Sequence, residues 1–247
     1  MFLPLAKTFK NSKFIVIIRD PRAVIGAHIN IKKKYKSRIA NALSYIKCWR
    51  KMIALTIYYK SLKIFKNRLF VVVHEDLVKN PKKVCKKLCN FLNVKFENQM
   101  LDTTKYLDPA TGKIWMGNST FEKTTFGFSK KRTTRWKKKL SYSQIKAIEF
   151  IAYHEMKLLN YKFYKNENIA ELKNGLSFLI NDDTKKRKWR TGATNRTEQN
   201  YGVEFFRNYL FDVNSVVKDK SLLRRLFLFE EVYKKIKKQK FLFRSGA

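Results

Sequence analysis

The stretch Phe14-Ile15-Val16-Ile17-Ile18-Arg19-Asp20-Pro21-Arg22-Ala23-Val24 joins an unbroken apolar run to a charged turn and a helix start. A continuous apolar run bounded by turn residues predicts a strand covered on both faces, as in a parallel sheet. The charged residues then emerge at the carboxyl end of that strand, which is where open α/β sheets bind their ligands. Asp20 fits an N-cap and Pro21 the first helical position, so the chain turns helical from Ala23 onward with backbone N–H groups nearby. Arg19 adds a permanently charged, two-pronged donor whose geometry matches phosphate oxygens.

Working outward, helices are predicted over about 22–37 and 40–66, the second with Leu43, Ile46, Trp49, Ile53, Ile57, Leu62 and Phe65 on its apolar side. A second Val-rich strand follows at Leu69–Val73, parallel to the first because helices connect the two. Pro81 starts another helix that ends near Leu92. This alternation is an α/β signature. Residues 95–139 read mostly as loops, broken at Asp108-Pro109, Thr111-Gly112 and Gly117-Asn118. A helix from Ser141 to Leu159 is then predicted, with Ser141 and Gln144 forming a capping box.

Four segments, in order, carry a resemblance. Arg19-Asp20-Pro21-Arg22-Ala23-Val24-Ile25 resembles the 3′-phosphate-binding motif of sulfotransferases that use 3′-phosphoadenosine 5′-phosphosulfate (PAPS). Leu69–Val73 with His74-Glu75-Asp76-Leu77 through Pro81, closing at Phe91-Leu92-Asn93, resembles the family's strand, acidic turn and helix. Gly117-Asn118-Ser119-Thr120-Phe121 and Arg135-Trp136-Lys137-Lys138-Lys139-Leu140-Ser141 resemble two further family segments, so that the likeness covers roughly residues 13–164. The resemblance implies a parallel-sheet, P-loop-like nucleotide-binding fold, with PAPS as donor, PAP as product and no metal.

It also implies site residues. Arg19 would hold the 3′-phosphate, and His74, in the place of the family's usual tyrosine, would meet the adenine together with Ser119 and Phe121. Lys130, Arg132, Arg135 and Trp136 belong to the loop that closes over the 3′-phosphate, and an aromatic ring with a basic loop suits a purine and a doubly charged phosphate. Two departures stand out. The family's Gly/Ser/Thr-rich loop for the 5′-phosphosulfate, and its catalytic base, have no counterpart in Met1–Ser12, so the chain reads as amino-terminally truncated. Ala27 stands where the family has a serine, and a hydroxyl bonded to a charged phosphate is worth about 1.5–3 kcal/mol. His28 follows the motif on a helix where the family places no acceptor, so no base is assigned.

The formal charge is +36, from 55 Lys and Arg against 19 Asp and Glu, which implies attraction to polyanions or an anionic membrane surface. The lysines are scattered rather than gathered in one stripe, so charge alone does not specify nucleic acid. Cys48, Cys85 and Cys89 form no CxxC pair and indicate neither a disulfide framework nor a zinc site, which suits a reducing, cytoplasmic location. No apolar run approaches the ~20 residues of a membrane span. Three regions are expected: a sulfotransferase-like domain over 1–164, a polar linker over 165–200, and a basic amphipathic helical extension over 201–247, with helices at about 202–217 and 219–240. The extension either packs on the domain, lies on an anionic membrane, or binds a partner.

The functional expectation is sulfuryl transfer from PAPS to a hydroxyl or amine of a carbohydrate or similar acceptor, with the activity of this chain alone in doubt. The alternative is a noncatalytic basic binder of nucleotides, acidic glycans or nucleic acid.

Overall fold

The computed structural model describes residues 2–35, 42–115, 126–164, 172, 174–176, 197–212 and 218–238. In chain order the elements are α1 (Phe2–Thr8), β1 (Phe14–Ile18), α2 (Pro21–Tyr35), α3 (Ala42–Ser61), β2 (Leu69–Val73), α4 (His74–Lys79) and α5 (Pro81–Leu92). After short 3-10 turns come α6 (Lys131–Thr134), a 3-10 turn at Arg135–Lys138, α7 (Tyr142–Ile151) and α8 (Tyr153–Leu158). The described chain closes with α9 (Thr197–Asp212), α10 (Lys220–Phe227) and α11 (Glu230–Lys237). It divides into two compact units, one holding Met1–Ser37 and Leu62–Lys139, the other Arg38–Ser61 and Leu140–Leu242.

In the first unit β1 and β2 form a parallel, two-stranded sheet with Phe14 opposite Leu69 and Ile18 opposite Val73. Phe14, Val16 and Ile18 are buried with Leu69, Val71 and Val73. The expectation that β1 is covered on both faces is corrected: Ile15 is 38% and Ile17 65% exposed. Successive strand side chains point to opposite faces, and the second face is covered mainly at β2, where Phe70 meets Phe91 of α5 at 5.2 Å. An all-apolar run looks alike on its two faces, so composition carries no sign of this difference.

Arg68 ties α1 to the start of both strands. Its guanidinium donates to the carbonyls of Phe9 at 2.5 Å, Ser12 at 2.9 Å and Ala6 at 3.2 Å, and to Ser12 Oγ at 2.9 Å. Ala6 O is one of the carbonyls that a short helix leaves without intrahelical partners at its carboxyl end, and Phe9 and Ser12 lie in the turn that follows α1. Phe14 fills the space beneath, with Phe2 at 5.1 Å and Phe65 at 5.4 Å.

In the second unit Ser141 caps α7 and Gln144 completes the capping box, as the sequence predicts. The predicted helix over 141–159 is however broken at Ala152, whose φ of −99° and ψ of 11° separate α7 from α8. Alanine is the best helix former, so propensity hides this break; Ala152 is fully buried and packing sets its backbone. The predicted helix over 219–240 is likewise two helices, parted at Leu228 with φ 70°. Asp219 caps α10 by accepting from Ser221 N at 2.8 Å and Leu222 N at 3.1 Å. Leu223, Phe227, Val232, Tyr233 and Ile236 form the buried apolar side. This extension packs on the earlier helices: Phe229 stacks on Tyr58 of α3 at 4.1 Å, and Glu204 of α9 pairs with Arg50 of α3. Among the described residues no helix is long and apolar enough to cross a membrane.

Two outcomes are expected. Arg68→Ala removes several charge-assisted bonds to carbonyls and lowers the unfolding free energy by at least about 2 kcal/mol; an unchanged urea midpoint refutes the tie. His154 is buried, and that burial, with Arg207, Lys157 and Arg50 around it, lowers its pKa from 6.5 to about 3. The native state therefore holds it neutral, so its contribution is complete above pH 6.5 and is lost as pH falls toward about 3. Between those limits stability falls by up to about 1.4 kcal/mol per pH unit from this group. His154→Gln flattens that slope in urea titrations, and equal slopes in the two proteins overturn the assignment.

Candidate functional site

The register of the sheet sets the geometry. With Ile18 opposite Val73, Arg19-Asp20 and His74-Glu75 leave the sheet side by side at its carboxyl edge. The Asp20 N–H donates to Glu75 Oε1 at 3.1 Å, closing that edge. Burial raises the Glu75 pKa, but the His74 ring and the Asp20 N–H outweigh it and hold the carboxyl below its ordinary value. His74 Nδ1 stands 3.7 Å from Glu75 Oε1, an ion-pair separation too long for a hydrogen bond.

Asp20 caps α2 as expected, accepting from Arg22 N at 2.8 Å. The same carboxylate accepts from Arg22 Nε at 3.0 Å and Nη2 at 2.7 Å. Arg22 is 4% exposed and its guanidinium lies 4.1 Å from the Trp136 ring centre, an attraction between a cation and an aromatic face. Arg22 is thus an internal counter-ion that neutralises Asp20. The two motif arginines differ in surroundings: Arg19 is half-buried just past the strand end, while Arg22 is buried between Asp20 and Trp136.

The remaining sequence-predicted residues are placed as follows. Trp136 is 5% exposed in the 3-10 turn and covers Arg22, which joins the loop to the motif. Arg135, beside it, is half-buried. Lys130 is exposed at the start of α6, and Arg132 is half-buried there with Nη1 donating to Gly127 O at 3.3 Å. The Gly127 N–H in turn donates to Thr103 Oγ1 at 2.5 Å, which anchors the loop; Gly127 has φ +69°, a conformation that favours glycine. Ser119 and Phe121 lie outside the described residues. Sequence reasoning missed Arg22 as a buried group and Glu75 as the acceptor that joins the two strand ends. The signal for Glu75 was present in the paired lengths of the strands, which put 20 opposite 75.

Chemically, the edge presents the fixed-charge donor Arg19 and the start of α2, beside a carboxylate that Arg22 neutralises. Such a donor set fits a phosphate group, because Asp20 no longer repels an anion at the start of α2 once Arg22 is bonded to it. Among the described residues no cluster of three or more His, Cys, Asp or Glu is placed to hold a metal ion.

Comparison with known proteins agrees with the motif reading. A family model described as the sulfotransferase family matches residues 2–98, a span that includes β1, Arg19, β2, His74 and α5. The chain is 28% identical over 106 residues to the protein-tyrosine sulfotransferase of Drosophila melanogaster, covering 42% of this chain and 21% of that protein. It is 32% identical over 111 residues to protein-tyrosine sulfotransferase 1 of Danio rerio, covering 44% and 30% respectively. The chain thus spans less than a third of the length of these relatives. Among solved structures, the sulfotransferase domain from the curacin biosynthetic pathway aligns with a TM-score of 0.45 and 23% identity, over 63% of this chain and 56% of that one.

Removing one partner of a buried ion pair leaves the other charge uncompensated. Arg22→Ala is therefore expected to cost about 3–5 kcal/mol of stability, with Arg22→Lys recovering part of it. Asp20→Asn combined with Arg22→Ala costs less than Arg22→Ala alone in guanidinium unfolding. A double variant that loses as much as the sum of the single changes refutes the pairing.

Proposed function

We propose, from the premise that residues 2–98 are a sulfotransferase-family segment, that this chain holds the nucleotide end of PAPS and takes part in sulfuryl transfer to a hydroxylated acceptor. The single observation that carries the reading is the position of Arg19 at the carboxyl edge of a parallel sheet, beside His74 and next in sequence to Asp20, whose charge Arg22 neutralises. PAPS supplies an activated sulfuryl group, which passes to an acceptor oxygen as the bond from sulfur to the bridging phosphate oxygen breaks and PAP departs.

The chain's own residues position and neutralise. Arg19 meets the 3′-phosphate with its paired N–H donors, and Lys130, Arg132 and Arg135 close the positive side of the same site. His74 presents its ring to the adenine. Trp136 acts indirectly, holding Arg22 against Asp20 so that the start of α2 stays free of net negative charge. A pre-arranged set of this kind costs no reorganisation when charge develops on the leaving nucleotide. The acceptor proton goes to a base for which no described residue is nominated.

For the acceptor, the names of the two relatives favour the phenolic oxygen of protein tyrosine, while the sequence reading favours a sugar hydroxyl. Both offer a hydroxyl oxygen to the same reaction, and labelled transfer from PAPS to a tyrosine peptide or an oligosaccharide separates them.

Calorimetric titration of the full chain with PAP tests the site itself. Arg19→Ala is expected to weaken binding by about tenfold or more, since a hydrogen bond to a charged group is worth roughly 1.5–3 kcal/mol. Arg19→Lys recovers only part of the loss, because an ammonium lacks the paired fork. Equal PAP affinity in wild type and Arg19→Ala sinks the reading.

A further inference from the structure

The second unit carries an open cleft of about 260 Å³ that the nucleotide reading does not use. Its wall includes five cations, Lys47, Arg50 and Lys51 of α3, Arg207 of α9 and Arg225 of α10, against only two carboxylates, Glu155 and Glu204. Both carboxylates are engaged by arginines within the wall. Glu204 pairs with Arg50, whose Nη2 donates at 2.9 Å, and Glu155 pairs with Arg207. Arg207 is further held with its guanidinium 4.7 Å from the Phe227 ring centre. These pairs fix the floor, as Arg207, Glu155 and Glu204 are each almost fully buried.

The positive excess is concentrated at Lys47, Lys51 and Arg225. Lys51 and Arg225 are exposed at the rim, and among the described residues neither stands within ion-pair distance of a carboxylate. The side chain of Lys47 is 34% exposed and lies 3.8 Å from Glu204 Oε1, a carboxylate it shares with Arg50. Burial lowers the Lys47 pKa, and the neighbouring Arg50 charge lowers it further, against the pull of Glu204. Beside the cations the wall is apolar, formed by Ala54, Val203, Leu226 and Phe227.

A cavity with a cationic rim, a rigid floor and an apolar side has the features of a ligand site, in which a few placed polar groups orient a body held by apolar contact. Its volume is below the roughly 300–1,000 Å³ of sites for drug-sized molecules, so the part of a ligand held inside it is small. Lysine and arginine at the rim select an oxyanion, and two or three of them select one with more than one charged oxygen.

We propose that this cavity binds a small sulfate or phosphate ester, the oxyanion against Lys47, Lys51 and Arg225 and the organic body against Leu226 and Phe227. The proposal is independent of the nucleotide site, because all of its residues belong to the second unit. Sulfate and phosphate esters share the chemistry that this wall recognises, and the probes below separate them.

The test is calorimetric titration of the full chain with phenyl sulfate, phenyl phosphate and inorganic sulfate at matched ionic strength. Saturable binding of at least one phenyl ester, tighter than inorganic sulfate, is the expected result, and the tighter ester identifies the source. Lys51→Ala with Arg225→Ala is expected to weaken that binding by about tenfold or more. Lys82→Ala with Lys83→Ala, two exposed residues of α5, removes the same charge elsewhere and leaves it unchanged. Arg19→Ala also leaves it unchanged, so a failed nucleotide reading and a failed cavity are told apart. Absence of saturable ester binding, or equal weakening by the Lys82/Lys83 pair, which marks bulk charge attraction alone, overturns the proposal. So does loss of binding in Arg19→Ala with none in the Lys51/Arg225 pair.

Discussion

Parallel pairing of two short strands in one register is the constraint on which the site depends. Because Ile18 is opposite Val73, every residue that follows β1 is matched to a residue that follows β2. Asp20 can then reach Glu75 through its backbone N–H, and Arg19 and His74 are presented together. A shift of the pairing by one residue turns β1 over, exchanging its buried and exposed side chains. It also breaks the Asp20–Glu75 bond, so the apolar core and the charged edge enforce the same alignment.

The edge is charged in a particular way. Asp20 is needed as an N-cap for α2, yet a bare carboxylate at a helix start opposes an anionic ligand. Arg22 resolves the conflict by pairing with Asp20 at 2.7 Å, and Trp136 seals the pair from water. Desolvating two charges is costly unless their geometry is good and their remaining hydrogen-bonding groups are satisfied. Here one carboxylate caps the helix and binds two guanidinium nitrogens, which uses most of its acceptor capacity. Trp136, the aromatic loop residue that the sequence suggests as a ligand contact, is packed on the Arg22 guanidinium.

Much of this was legible in the residues and some was not. Strand positions, the Asp20 cap, the Pro21 and Pro81 helix starts and the Ser141 capping box rest on local chemistry, and local chemistry is what a sequence displays. The difference between Arg19 and Arg22 was hidden, since it arises from the return of Trp136, more than a hundred residues later, onto the start of α2. The exposed face of β1 and the breaks at Ala152 and Leu228 were hidden for the same reason: Ile, Ala and Leu carry no mark of which neighbours surround them. The cationic cavity draws on four separate helices and has no contiguous motif to betray it.

The excess of positive charge gives the carboxylates an unusual value. With 55 Lys and Arg against 19 Asp and Glu, acids are the scarce partner, and several of them are withdrawn from the surface. Asp20, Glu149, Glu155 and Glu204 are all buried. Asp20, Glu155 and Glu204 each fix a particular arginine, while Glu149 accepts the Tyr164 N–H at 2.9 Å and has Lys146 at 4.0 Å. Acids spent on internal geometry cannot screen the surface, so the exterior is left strongly cationic. A diffuse field of that kind attracts every polyanion and is screened within about 8–10 Å at physiological salt. The cations whose directions are fixed by buried carboxylates are instead Arg22 at the start of α2 and Arg50 and Arg207 in the second unit.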